Sequence, residues 1–412
     1  MPELQADMPP AATPESYAGT LGQPIYAGGA APYTPPQTPP ESLGDITVLN
    51  NGAALPFTTP EQTLVLVLHA SGSAGGGAGD GRRYSAAVSG NMAYDIYTNF
   101  LFKTQRAVAA DQLPGVNGML LMPVDEYGKY PSNAVRESYW MGFTNMGQPT
   151  MRLITERRVD ALVLWANANL PLSASRRCIT GGSMGAWGTL TYGIRRPHMF
   201  SSLYPDRPKW RWSNYNAQTG SYTNWSNGAN AVNAASALAL SDEDGGGKVY
   251  DRLNVTSYAS NTDNKIPWIG WCIGRNDGFS DFRDHVDAVA ALRAAKRGFA
   301  FAWNDGNHST GSILGQIKRS YPYGTFEIGK GYPLFTNHSA DQDPAVDLVG
   351  GINLGLSFRN VVESFSGWSC QVTSLDGART VTVEPISSVF VTPVTPKVVS
   401  IPAANEWVTV SF

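Results

Sequence analysis

The chain has 412 residues, a formal net charge of −3 and a pI of about 6.0. That length can bury a large core in more than one domain, while the near-neutral balance implies no nucleic acid or other polyanion as partner. Only 15% of residues are charged, which suits an extracellular or particle-associated setting, and three cysteines (Cys178, Cys272, Cys370) are too few and too scattered for a disulfide framework or a metal site. Buried free thiols are the expectation for Cys178 and Cys272, and neither a metal nor a cofactor is expected.

Residues 1–44 are a low-complexity arm in which Pro32, Pro35, Pro36, Pro39 and Pro40 cluster and every charge is acidic. Such a segment cannot hold a regular helix or bury much, so it reads as extended. It is either a solvated tail or an arm that docks on a neighbouring subunit and supports a homo-oligomer or assembly. Residues 1–40 lack the basic start and apolar run of a secretory leader, and no stretch approaches the roughly 18 apolar residues of a membrane span.

Residues 45–331 read as one α/β domain. Residues 63–69 are a continuous apolar run, as expected of a strand buried on both faces, and lead into a loop of small residues at 70–79. Helical patterning over 86–110 precedes a second buried strand at 118–123. A helix is predicted over 152–165, a short strand at 177–180, a helix over 187–196 and a strand at 199–205. An irregular insertion, about 206–264, follows like a lid and carries Trp210, Trp212, Tyr215, Tyr222 and Trp225. Strands at 266–274 and 298–303 flank a helix over 281–296. Alternation of this kind predicts a doubly wound, mostly parallel sheet with helices on both faces.

Beyond residue 331 the pattern changes to short Thr/Val-rich strands at 352–356, 369–373, 380–384, 389–392 and 407–410, separated by Gly, Pro and Asn. Residues 332–412 therefore read as a small all-β, sandwich-like accessory domain.

The most informative stretch is 180–188, Thr-Gly-Gly-Ser-Met-Gly-Ala-Trp-Gly, which fits G-x-S-x-G with Ser183 at its centre. A strand before it and a helix after it are the setting of a nucleophile elbow. There a serine is lifted clear of the sheet, and the next amide, that of Met184, points at a developing oxyanion. A serine hydroxyl needs a base, usually an imidazole held by a carboxylate. Of the five histidines, His308 alone sits in a Gly/Asn-rich loop straight after a predicted core strand. Asp277 holds the matching place after the preceding strand. Loops that follow parallel strands open on one edge of the sheet, so Ser183, Asp277 and His308 can converge there.

Each of these has a bland rival. Asp281 and Asp284 fall where a helix start needs capping, and Asp305 suits a turn in the histidine loop. His69 is either substrate-facing or a structural hydrogen-bonding group at a strand end, and His198 reads as a surface residue. Trp210, Trp212 and Trp225 could stack on a substrate or form the small core of the insertion, the packing role being slightly favoured. Residues 242–245 superficially resemble a calcium loop but lack the later bidentate acid, which leaves a solvated turn.

With these residues in view, the chain resembles the serine esterases of the α/β-hydrolase superfamily over roughly residues 60–325. Its elbow is similar to those of polyhydroxyalkanoate depolymerases and of feruloyl or acetylxylan esterases. The resemblance implies Ser183 as nucleophile, His308 as general base and acid, and Asp277 as the residue orienting the imidazole. His69-Ala70-Ser71 lies where such enzymes carry a His-Gly pair that supplies the second oxyanion amide. Ala70 replaces the glycine here, so the donor is the amide of Ala70 or of Ser71. The expected activity is hydrolysis of a carboxylic ester through an acyl-enzyme, on an acylated polysaccharide or a polyester. The alternatives are a serine peptidase with the same triad, and a virion or cell-surface structural or binding protein built on this fold.

Overall fold

The computed structural model describes residues 62–68, 100–104, 118–123, 140, 150–151, 153–169, 172–211, 215–216, 221–222, 241–242, 249–365, 367–387 and 394–412. The arm at 1–44, the small-residue loop with His69, Ala70 and Ser71, the tryptophans at 212 and 225, the end of the acidic turn at 243–245 and the expected strand at 389–392 lie outside these residues.

The strands are β1 (Gln62–Leu68), β2 (Phe100–Thr104), β3 (Gly118–Pro123), β4 (Thr150–Met151), β5 (Leu172–Gly182), β6 (Ser202–Asp206), β7 (Tyr215–Asn216), β8 (Ser221–Tyr222), β9 (Ser241–Asp242), β10 (Trp268–Gly274) and β11 (Phe299–Asn304). They continue as β12 (Tyr332–Thr336), β13 (Gly350–Ile352), β14 (Leu356–Ser364), β15 (Gly367–Ser374), β16 (Arg379–Ile386), β17 (Lys397–Ile401) and β18 (Val408–Ser411). The helices are α1 (Ile154–Asn169), α2 (Met184–Gly193), α3 (Val249–Leu253), α4 (Val255–Ser260), α5 (Phe282–Ala294) and α6 (Leu314–Ser320).

An eight-stranded sheet runs in the order β13-β11-β10-β6-β5-β1-β3-β2. The inner strands β3, β1, β5, β6, β10 and β11 are parallel, and β2 and β13 close the two edges antiparallel. This matches the expected mostly parallel sheet. The patterning at 86–110 had predicted helix, but β2 occupies Phe100–Thr104 and pairs with β3. The unbroken Phe-Leu-Phe run there suits a pleated strand beside a partner better than an amphipathic turn of helix.

Side chains along the inner strands alternate between two cores, as a period of two requires. Leu64, Leu66, Ile179, Leu203, Ile269, Trp271 and Phe301 face the first, which α1, α2 and α5 cover through Val159, Val163, Leu190, Val289 and Leu292. Val65, Cys178, Tyr204, Trp268, Cys272 and Ala302 face the second. On that face the cover is α6, through Leu314 and Ile317, together with Phe335, Leu356, Trp368, Val372, Val383 and Val410 from the C-terminal strands. Those strands form two three-stranded sheets, β12-β16-β17 and β14-β15-β18, while β13 joins the edge of the main sheet. Of the residues expected to form a strand at 352–356, Ile352 ends β13 and Leu356 begins β14, while 353–355 turn the chain between them, with Asn353 and Gly355 at φ values of 57° and 74°. Buried Asn353 ties the layers together: its Nδ2 donates to the carbonyls of Phe299 and Phe335 at 3.0 and 3.2 Å.

Two buried polar networks fix the helices against the sheet. In the first, Arg196 donates to Asp160 at 2.6 Å and to Glu156 at 2.9 Å, while Arg252 donates to the same Glu156 oxygen at 2.7 Å. Tyr192 completes it with a 2.7 Å bond to Asp160. Burial acts to raise the Glu156 pKa, but Arg252 and Arg196 together outweigh it and hold the carboxyl below its usual range. Arg252 belongs to α3, so this carboxylate fastens the end of the insertion to α1.

The second network lies under the loop that follows β10. Trp271 Nε1–H, a donor only, gives its hydrogen to His285 Nδ1 at 3.1 Å. His285 Nε2 must then carry the ring proton and donate it to Ser280 Oγ at 3.0 Å, and Ser280 Oγ–H donates to the Pro208 carbonyl at 2.9 Å. Every member is satisfied with a neutral imidazole. Burial pushes the His285 pKa down to about 3, against the pull of Asp277 and Asp281.

Between the ordinary imidazole pKa of about 6.5 and the folded value, the unfolded chain binds a proton that the folded chain refuses. Stability is therefore lost as pH falls through that window. Denaturant titrations at pH 7 and pH 4 should record this loss, and His285→Asn should shrink it. An identical pH dependence in the variant would exclude His285 as its source. Separately, Glu156→Ala leaves Arg252 buried without its carboxylate and should cost about 3 kcal/mol in the same titration. A change within experimental scatter would show the network to be dispensable.

Candidate active site

The carboxyl ends of β5, β10 and β11 bring Ser183, Asp277 and His308 to one edge of the sheet. Ser183 stands between the last residue of β5 and the first of α2, with φ 53° and ψ −119°. A side-chain-bearing residue occupies this left-handed region only when its surroundings force it there. The surroundings here are tight. A Cβ at Gly181 would lie 2.6 Å from the Gly185 carbonyl carbon and oxygen and 2.6 Å from the Leu68 carbonyl oxygen, so only glycine lets β1, β5 and α2 meet. At Gly188, a Cβ would strike the Trp140 side chain at 2.5 Å. The Ser183 N–H donates to the Asp206 carbonyl at 3.0 Å, which ties the turn to the end of β6. Asp206 in turn accepts the Cys272 thiol hydrogen at 3.2 Å. Cys178, Cys272 and Cys370 are all free and buried, and burial raises the pKa of each.

The side-chain hydroxyl of Ser183 is 2.7 Å from His308 Nε2. His308 Nδ1 is 2.7 Å from Asp277 Oδ2. Asp277 Oδ1 accepts from the Phe279 and Ser280 amides at 2.8 and 3.1 Å. With its other oxygen engaged by two backbone donors, Oδ2 takes the Nδ1 hydrogen, and this leaves the Nε2 lone pair facing Ser183. The Asp277 side chain is 0% exposed and that of His308 is 17% exposed, so the carboxylate is shielded while the imidazole still reaches the surface. The two loops are also joined through their backbones. Arg275 N–H donates to the Asn304 carbonyl at 2.7 Å, and Asn276 N–H to the Gly306 carbonyl at 2.9 Å.

Lys209 supports the acid loop from below. It is 2% exposed, and its Nζ donates to the Phe279 carbonyl at 2.9 Å and lies 5.7 Å from the centre of the Trp187 ring. Burial pushes this ammonium down to about 8, with Asp284, Asp277 and Asp281 pulling the other way. Trp187 Nε1 donates to the Arg207 carbonyl at 3.1 Å, so the elbow helix and the chain leaving β6 are linked as well.

Met184 opens α2, where the first-turn amides have no partner within the helix and point out of its positive end. β1 ends at Leu68, opposite Gly181 of the elbow. Asp281 caps α5 by accepting from the Arg283 amide at 3.0 Å, as its position predicts, and Asp305 and His198 are exposed. Of its two expected roles, Trp210 takes the packing one and not the substrate-facing one. It is fully buried and packs edge-to-face on Trp271 with centroids 5.1 Å apart, so it fills core space and presents no face to a substrate. It shares a buried cluster with Val255 and Ala259 of α4, and the Val255 amide donates to the Trp210 carbonyl at 3.0 Å.

Sequence reading had passed over Lys209, Ser280 and His285. The donors on Asp277 had a signal, since Asp-Gly-Phe-Ser permits the aspartate to bond amides two and three residues on. Lys209 had none, because its partner lies across the fold.

No protein-family model matches this chain, and no curated protein matches it. Solved structures similar to it include FphF of Staphylococcus aureus, a fluorophosphonate-binding serine hydrolase. It is 16% identical, with 63% of this chain and 82% of that chain covered and a TM-score of 0.40. The S-formylglutathione hydrolase FrmB of the same organism is 17% identical over 60% of this chain and 78% of its own, with a TM-score of 0.38. A ferulic acid esterase is similar at 15% identity, over 60% of this chain and 79% of its own, with a TM-score of 0.37.

Proposed function

We propose that this protein is a serine hydrolase of the α/β-hydrolase type that cleaves carboxylic esters through Ser183, His308 and Asp277. The observation that carries the reading is the unbroken series Asp277–His308–Ser183 at 2.7 and 2.7 Å, ending on a serine held at φ 53°. A serine in an ordinary turn has no need of that backbone conformation, and a structural histidine has no need of a serine hydroxyl on its Nε2 at the sheet edge.

Ser183 Oγ attacks the ester carbonyl carbon while its proton passes to His308 Nε2. The new imidazolium is stabilised by Asp277, whose buried carboxylate is already held by two amides. The Met184 amide, with a second from Ala70 or Ser71, accommodates the oxyanion. As the carbon–oxygen bond to the alcohol breaks, His308 returns the proton to the leaving oxygen, and an acyl group remains on Ser183. Water then repeats the sequence and releases the acid. No residue in this scheme calls for a metal or cofactor. An acylated polysaccharide or a polyester is the substrate class we favour, following the elbow's similarity to esterases of such polymers.

Hydrolysis of a short-chain p-nitrophenyl ester, together with labelling by a fluorophosphonate, tests the reading. Ser183→Ala should abolish labelling and lower kcat at least about 10⁴-fold. Asp277→Asn keeps the shape but favours the wrong imidazole tautomer, and should lower kcat about 10⁴-fold while the fold's melting temperature changes little. Folded wild-type protein that neither turns over nor labels would sink the proposal. Preference for peptide substrates over esters would move it to a serine peptidase.

A further inference from the structure

Phe279 sits two residues beyond Asp277 and has its main chain held at both ends. Its amide donates to Asp277 Oδ1 at 2.8 Å, and its carbonyl accepts from Lys209 at 2.9 Å. Its side chain is treated differently. The residue is 55% exposed, and its ring centroid is 4.7 Å from that of His308, with the two planes inclined at 55°. A large apolar ring on a doubly anchored backbone is thus presented to solvent directly beside the imidazole.

Resting on the ester-hydrolase reading, we propose that Phe279 walls the leaving-group side of the site and selects esters whose alcohol offers a flat or apolar face. The argument is one of reach. For the carbon–oxygen bond to break, His308 Nε2 must give its proton to the leaving oxygen, which therefore comes within about 3 Å of that nitrogen. The first carbons of the alcohol then lie alongside the imidazole, within contact distance of a ring whose centre is 4.7 Å from it. The acyl chain hangs from the carbon bonded to Ser183 Oγ and has no such obligation to approach His308. Phe279 consequently discriminates among alcohols and not among acyl groups. An aromatic ring, or the C–H face of a sugar, meets it as well as an alkyl ring does.

Four simple esters separate the two sides. Cyclohexyl acetate against methyl acetate varies the alcohol alone, and methyl butyrate against methyl acetate varies the acyl group alone. Benzyl acetate adds a flat alcohol. The quantity to compare is the ratio of kcat/KM within each pair, since kcat/KM covers the steps through acylation. Phe279→Ala should lower the cyclohexyl-to-methyl and benzyl-to-methyl ratios about tenfold, and Phe279→Leu, which keeps apolar bulk, should lower them about threefold. The butyrate-to-acetate ratio should hold within about twofold in both variants, because uniform losses cancel in a ratio. Unchanged alcohol ratios, or a shift in the acyl ratio instead, would overturn the assignment while leaving the hydrolase reading intact. Wild-type protein that turns over none of these esters and takes no fluorophosphonate would overturn both.

Discussion

Everything at this edge of the sheet depends on a steric fact at Gly181. The strand β5, its neighbour β1 and the helix α2 come so close there that a methyl group would collide with three backbone atoms. A turn that tight cannot be made in relaxed backbone, and the residue that absorbs the strain is Ser183. The fold then over-determines the strain: the Ser183 amide is bonded to β6, its carbonyl accepts from the Trp187 amide, and α2 is buried along its whole length. Once the hydroxyl is fixed, the acid and the histidine need only arrive at the same edge. Parallel strands guarantee that, because the loops leaving β10 and β11 have nowhere else to go.

The acid and histidine loops behave as one body. Their backbones are stitched by two hydrogen bonds, and the Gly306 carbonyl fills the space that a Cβ on Gly274 would need. A carboxylate with no exposed side-chain surface would be costly if unpaired, but Asp277 accepts from two amides and an imidazole. Beneath it the polarity is graded. A charged Lys209 braces the Phe279 carbonyl, and a neutral His285 holds the Ser280 hydroxyl of the same short loop. The neutral brace adds no positive charge to compete with His308 for Asp277.

Much of this was legible in the sequence because it is written in local signals. Continuous apolar runs marked β1, β3, β10 and β11, and a Gly-rich turn between a strand and a helix marked the place of Ser183. Asp277 and His308 could be picked out because each follows such a run in a loop of Gly, Asn and Asp. What could not be read is what depends on distant partners. β2 was mistaken for helix because its identity comes from pairing with β3, and β12 and β17 escaped notice because short strands borrow their stability from a neighbour. Asn353 and Gly355 hid a turn inside an apolar stretch. Trp210 was ambiguous for the same reason: a tryptophan in an irregular segment looks identical whether it faces a ligand or another tryptophan.

The second core has a consequence for how the chain folds. On that face, residues from β1 and β6 lie in the same buried cluster as Val399, Ile401 and Val410. During synthesis, Val65 and Tyr204 emerge long before those partners exist, so half of the central sheet must wait with its apolar face uncovered. Contacts so far apart in sequence carry a large loop-closure cost and form late. The sheet can gather its first face as it is made, but the second, which α6 begins to cover, is completed only once β17 and β18 have been joined. In that interval the uncovered apolar surface is open to wrong partners.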